Sequence, residues 1–152
     1  MELSMGIFNN QESDQAIDKM FASVLQASEV VLFLEFKRGY KHGLRASFDE
    51  IGDIYNNWIA GGKNQNSSAL NKPLQLGYLV GGCVQFLLDT NTYINSSQSA
   101  FFTFLQDLIK LLRQIPGFDM NVIKKRATRI DVSKLSPSGV ANLKTILALL
   151  SK

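Results

Sequence analysis

Cysteine is nearly absent from this chain: 152 residues carry one, Cys83. No internal disulfide can form, and a chain of this length does not need one to hold a core. Such usage fits a reducing compartment, so a cytoplasmic location is expected. Histidine is equally scarce, with His42 alone. A histidine-based metal site needs cysteine or carboxylate partners at ligand spacing, and none stands near it. Long hydrophobic runs are missing too. The longest uncharged apolar-rich stretch, residues 74–88, falls short of the roughly twenty residues a membrane span requires. The first residues, Met1-Glu-Leu-Ser-Met-Gly, lack a basic region followed by an apolar segment, so no signal peptide is expected.

Catalytic motifs are missing as well. Gly81-Gly82 is followed by no Lys-Ser/Thr and does not sit between a strand and a helix, which argues against a phosphate loop. Cys83 has no neighbouring histidine or cation to activate its thiol, and reads as a small core residue. No nucleophile motif, dinucleotide fingerprint or carboxylate pair emerges. The chain is expected to work without catalysis, cofactor or metal. No residue pattern carries a resemblance to a known family.

What remains is an ordinary globular composition, 45% hydrophobic and 19% charged, with ten phenylalanines that imply an aromatic core or interface. Residues 1–12 read as a tail and 13–152 as a single helical domain. The expected fold is all-α, a compact bundle of five or six helices around a central N-terminal helix. That helix is placed from about Asp14 to Arg38, capped by Ser13. Ile17, Met20, Phe21, Val24, Ser28, Val31 and Leu32 share one face, and Gly39 is read as its end. Residues 30–36 are apolar on all sides but for Glu35, so other helices should enclose them. Glu35 in that run is expected to be paired, with Lys37 or Arg38 in reach.

The second helix opens on a capping box, Ser47-Phe48-Asp49-Glu50, and is stopped by Gly61-Gly62. Asp49, Glu50 and Asp53 then read as an acidic first turn rather than a metal site. A polar loop follows to Lys72. The third helix runs from about Lys72 to Asp89, with Leu76, Leu79, Val80, Cys83 and Leu87 on one face. Gly77 and Gly81, four residues apart on another face, weaken it by about 1 kcal/mol each, and a close helix–helix contact should offset that. Residues 90–96 are a loop. A helix from Ser97 to Ile115 carries nine large apolar side chains in fifteen residues, more than a small bundle usually buries. Phe101, Phe102, Phe104, Leu105 and Ile109 are therefore candidate interface residues, for a protein partner or a homodimer. Phe118, Asp119 and Ile123 frame a short helix, and Ser136-Pro137 starts the last.

Charge is uneven. Residues 1–36 carry six acids and one lysine, net −5; residues 37–152 carry fifteen Lys/Arg and seven acids, net +8. One dense cluster, Lys37, Arg38, Tyr40, Lys41, His42 and Arg45, mixes cations with rings as nucleic-acid sites do. Lys124, Lys125, Arg126 and Arg129 form a second. The plainer reading is a solvated turn whose cations answer the acidic helices. The leading expectation is a helical protein-interaction module, an adaptor or accessory subunit. Nucleic-acid binding through both clusters is the alternative, and attachment to a membrane surface ranks third.

Overall fold

The computed structural model describes residues 30–61, 71–95, 100–115 and 118–151. Among them are seven α-helices and no strand: α1 (Val30–Gly43), α2 (Phe48–Ala60), α3 (Asn71–Leu88), α4 (Thr90–Tyr93), α5 (Ala100–Arg113), α6 (Asn121–Thr128) and α7 (Pro137–Ser151). A 3-10 turn, Val132–Lys134, links the last two. The all-α expectation holds. The added helix is α4, a single turn inside the segment read as a loop; Asp89 Oδ1 accepts from Thr92 N at 3.3 Å and caps it. The expected tail, the Ser13 cap, the first helix before Val30 and the Ser97 cap lie outside the described residues.

The hub is α3. It packs against α1, α2, α4, α5 and α6, and its Leu79, Val80, Cys83 and Phe86 are wholly buried. Most of the expected central N-terminal helix, residues 14–29, lies outside the described residues, and among those described the central position falls to α3. Residues 30–36 are not enclosed on all sides, since Phe36 is buried but Leu34 is 56% exposed.

The reason lies in the glycines. α1 does not end at Gly39; it continues to Gly43. A Cβ on Gly39 would collide with the backbone oxygen of Leu74, and one on Gly43 with that of Tyr78. Reciprocally, Gly77 presses on the backbone oxygen of Phe36, and Gly81 on that of Tyr40. Two pairs of glycines at i, i+4 thus face each other, and the two backbones touch. Residue numbers rise together along the seam, so α1 and α3 run parallel. The glycines of α3 cost helix propensity, and this close approach offsets it. A helix packed so tightly along one strip leaves its far side in water. Gln85, one turn past Gly81, donates from Nε2 to the carbonyls of Gly43 at 2.8 Å and Ala46 at 2.9 Å, tying down the end of α1.

α2 starts as its sequence implies. Ser47 Oγ accepts from Glu50 N at 3.1 Å, and Glu50 Oε1 accepts from Ser47 N at 3.2 Å. Phe48 then enters an aromatic junction. Its ring meets Phe101 (4.7 Å, 72°) and Phe104 (5.3 Å, 76°) edge-on, while Phe86 stacks on Tyr93 (4.1 Å, 11°). α7 is anchored by polar contacts. Ser136 Oγ accepts from Gly139 N at 2.9 Å, Asn95 Oδ1 accepts from Ser136 N at 2.9 Å, and Asn142 Nδ2 donates to Ile94 O at 2.7 Å.

Candidate functional site

A helix repeats its faces every three to four residues, so the seam on α1 fixes what points away from it. Phe36, Gly39, Tyr40 and Gly43 turn toward α3. Leu34, Arg38 and Lys41, spaced four and three apart, form the opposite ridge, and Arg45 follows in the turn after the helix; all four are exposed. The ridge and that turn together hold three cations and one large apolar side chain. Arg38 is held in place by Glu35: Nη2 donates to Oε1 at 2.8 Å and Nε to Oε2 at 3.3 Å. That bond from Arg38 keeps the Glu35 carboxyl below the usual carboxylate range against partial desolvation, and the cation's charge adds to the effect. Glu35 is thus a paired, ionised group.

The other members of the first cluster are placed differently. Lys37 is half-buried with its ammonium 5.1 Å from the centroid of the Phe33 ring. His42 is exposed and stacks on Tyr78 of α3 at 5.7 Å and 16°. Tyr40 is a correction. It is 4% exposed in the α1–α3 contact, because the backbones come so close that the ring is enclosed, and it offers no platform to a ligand.

The second cluster stands on α6. Lys124, Lys125 and Arg129 are exposed and Arg126 is half-buried. Lys125 and Arg126 occupy the last turn, where cations complement the helix dipole. Arg126 and Arg129 converge with Lys134 and Asp131 on a small cleft, about 180 Å³, floored by Leu87 and Leu88. Its positive charge comes from Arg126, Arg129 and Lys134, which the partially negative C-terminal ends of α3 and α6 favour.

The apolar set on α5 is likewise revised. Leu105 and Ile109 are wholly buried, Phe102 and Phe104 are half-buried, and Phe101 is 38% exposed. Leu108, Leu111 and Leu112 are buried beside them. The apparent excess of apolar residues is absorbed within the chain, largely by the aromatic junction with Phe48, Phe86 and Tyr93. Leu105 and Ile109 are core residues, unavailable to a partner.

Other reactive groups are silenced by their surroundings. Burial pushes the Cys83 thiol far up, and pushes the Tyr93 hydroxyl up to about 12 with help from Asp89. Among the described residues there is no group of three His, Cys, Asp or Glu that could hold a metal ion, and no helix long and apolar enough to cross a membrane. No family model matches the chain, and neither the curated proteins nor the solved structures provide a match.

Leu34 is the member of the ridge that the sequence reading misplaced. Its signal was the spacing to Arg38 and Lys41, which puts it on the charged face rather than in the core.

Proposed function

We propose that the chain is a non-catalytic helical interaction module that docks an acidic segment of a protein partner along the outer ridge of α1. The observation that carries this reading is the row Leu34, Arg38 and Lys41, exposed on a helix whose other face is locked to α3, with Arg45 exposed in the turn that follows. A rigid ridge loses little entropy on binding. Three cations would draw carboxylates, and Leu34 would meet an apolar side chain of the partner. The self-association expected from α5 has less apolar surface to draw on, since Leu105 and Ile109 are buried, while Phe101 is still exposed.

Nucleic acid is the weaker reading. Tyr40 is buried and cannot stack on a base. Asp49, Glu50 and Asp53 lie exposed on α2, directly after Arg45 in the chain, where they would repel a phosphate backbone. The test is fluorescence anisotropy with two labelled probes, an acidic amphipathic helical peptide and a single-stranded oligonucleotide. The peptide is expected to bind the wild-type chain and to weaken about tenfold or more in K41E/R45E, since exposed ion pairs contribute up to about 1 kcal/mol each. Leu34→Ser should weaken it further. Tighter binding of the oligonucleotide, with the steep salt dependence of phosphate contacts, would replace this reading with the second.

A further inference from the structure

A cavity lies where the C-terminal end of α2, the first turn of α3 and the end of α5 meet. It measures about 350 Å³ and is lined by Asn57, Trp58, Ile59, Gly61, Lys72, Gln75 and Leu111. That volume falls at the lower end of the range of small-molecule sites, which combine an apolar wall with a few polar groups. The wall here is Trp58, Ile59 and Leu111. Ile59 is 54% exposed, although it sits beside the core residue Leu111, so the surface around the cavity leaves apolar area uncovered. The polar groups are the Asn57 and Gln75 amides and Lys72. Lys72 is the one formal charge among the described lining residues.

The geometry points to a binding site for a small amphipathic monocarboxylate, with its head at Lys72 and its apolar body on Trp58. Orientation follows from the helices. The Lys72 side of the cavity is the first turn of α3, the positive end of an eighteen-residue helix. The Trp58 side is the carbonyl end of α2, where Gly61 N already donates to Trp58 O at 3.1 Å. A carboxylate is therefore favoured only at the α3 end, and the indole receives the rest of the molecule. The Gln75 amide can donate a second hydrogen bond to the head. None of its described lining residues belongs to α1.

Trp58 is the sole tryptophan of the chain and lines this cavity, so tryptophan emission arises at this site. The experiment titrates the protein with phenylacetate and with octanoate, using phenylacetamide as the uncharged control. One or both acids are expected to change the emission saturably in the millimolar range or tighter. The arm that responds identifies an aromatic or an aliphatic body. K72M should weaken the binding about tenfold, and the amide should bind about as poorly to the wild-type chain, as loss of a charge-assisted hydrogen bond implies. Lys72 is exposed, so K72M should melt as the wild type does. Amide NMR shifts centred on Asn57, Gly61 and Gln75 would place the ligand. A response that does not saturate, an equal titration in K72M, or equal binding of acid and amide would overturn the proposal.

Discussion

α3 meets α1 and its other neighbours by opposite means. Along Gly77 and Gly81 it touches α1 backbone to backbone, with no side chain between. Toward its C-terminal end it meets α2, α4 and α5 through rings, with Phe86 stacked on Tyr93 and both within reach of Phe48. A backbone contact has no rotamers to yield, so any added atom must separate the helices. An aromatic junction can shift rings to accommodate a change. The first contact therefore sets position, and the second supplies buried area. This explains why α1 can serve as a rigid carrier for an exposed ridge although much of its own surface is in water.

The largest effect should come from filling the seam. In Gly77→Ala the new methyl would lie against the Phe36 carbonyl and the Tyr40 amide nitrogen. The helices must part, and Phe36 and Tyr40 lose cover. The gain in helix propensity, about 1 kcal/mol, is outweighed, for a net loss of about 3 kcal/mol. Thermal unfolding should fall by roughly 10 °C for a chain of this size. Gly82→Ala is the comparison. Its Cβ would meet the buried Ile51 side chain, with Cδ1 at 2.8 Å and Cγ1 and Cγ2 at 3.0 Å, so a side chain rather than a backbone has to shift. That variant should lose no more than about 1 kcal/mol. Equal losses in the two variants would mean that the seam is no stiffer than the rest of the core.

Next in size is the aromatic junction. Phe48→Leu keeps most of the apolar volume but removes the edge-on contacts with Phe101 and Phe104. The expected loss is about 1.5 kcal/mol, about half that of Gly77→Ala, read from urea midpoints at unchanged slope. A smaller change of the other sign is expected from Gly52→Ala. Gly52 lies inside α2, and a Cβ there meets nothing within 4 Å. Stability should rise by about 0.5–1 kcal/mol, because the residue gains helix propensity at no steric cost. These substitutions separate glycine as a spacer from glycine as a simple weakness.

The sequence distinguishes those roles only in part. The pair Gly77 and Gly81 stood out because two glycines in a helical pattern demand a reason, and close packing was the available one. Gly39 and Gly43 have the same spacing, but Gly39 follows a long apolar run and two cations, which is also how a helix stops. Local rules favoured the stop; a contact with a helix some forty residues away overrode it. The capping box and the starts of α2 and α7 were legible because caps are local chemistry. The fate of the apolar residues on α5 was not, because it depends on Phe48, Phe86 and Tyr93 arriving from three other elements. Tyr40 was misplaced for the same reason as Gly39. Once the helix is taken to continue through Gly39, Tyr40 turns inward and Leu34 turns outward.

The ridge provides the smallest effect and the sharpest contrast with the seam. Glu35 is exposed enough that its bond to Arg38 adds little to stability, as surface ion pairs generally do. Its sign is nevertheless determined. The folded carboxyl titrates below its unfolded value, held there chiefly by the hydrogen bond from Arg38. The contribution is complete at pH values above the ordinary carboxylate range, and it is lost as pH falls through the lowered folded value. In an NMR titration of the side-chain carboxyl, Glu35 should therefore have a midpoint below that of an ordinary glutamate, and R38A should return it to the ordinary range. Unfolding temperatures of R38A and the wild type should differ slightly at neutral pH and converge in acid. A midpoint unmoved by R38A would show that Arg38 is free to reach a partner without giving up Glu35. In that case the ridge is a row of independent cations, and a partner bound there would not have to compete with an internal acid.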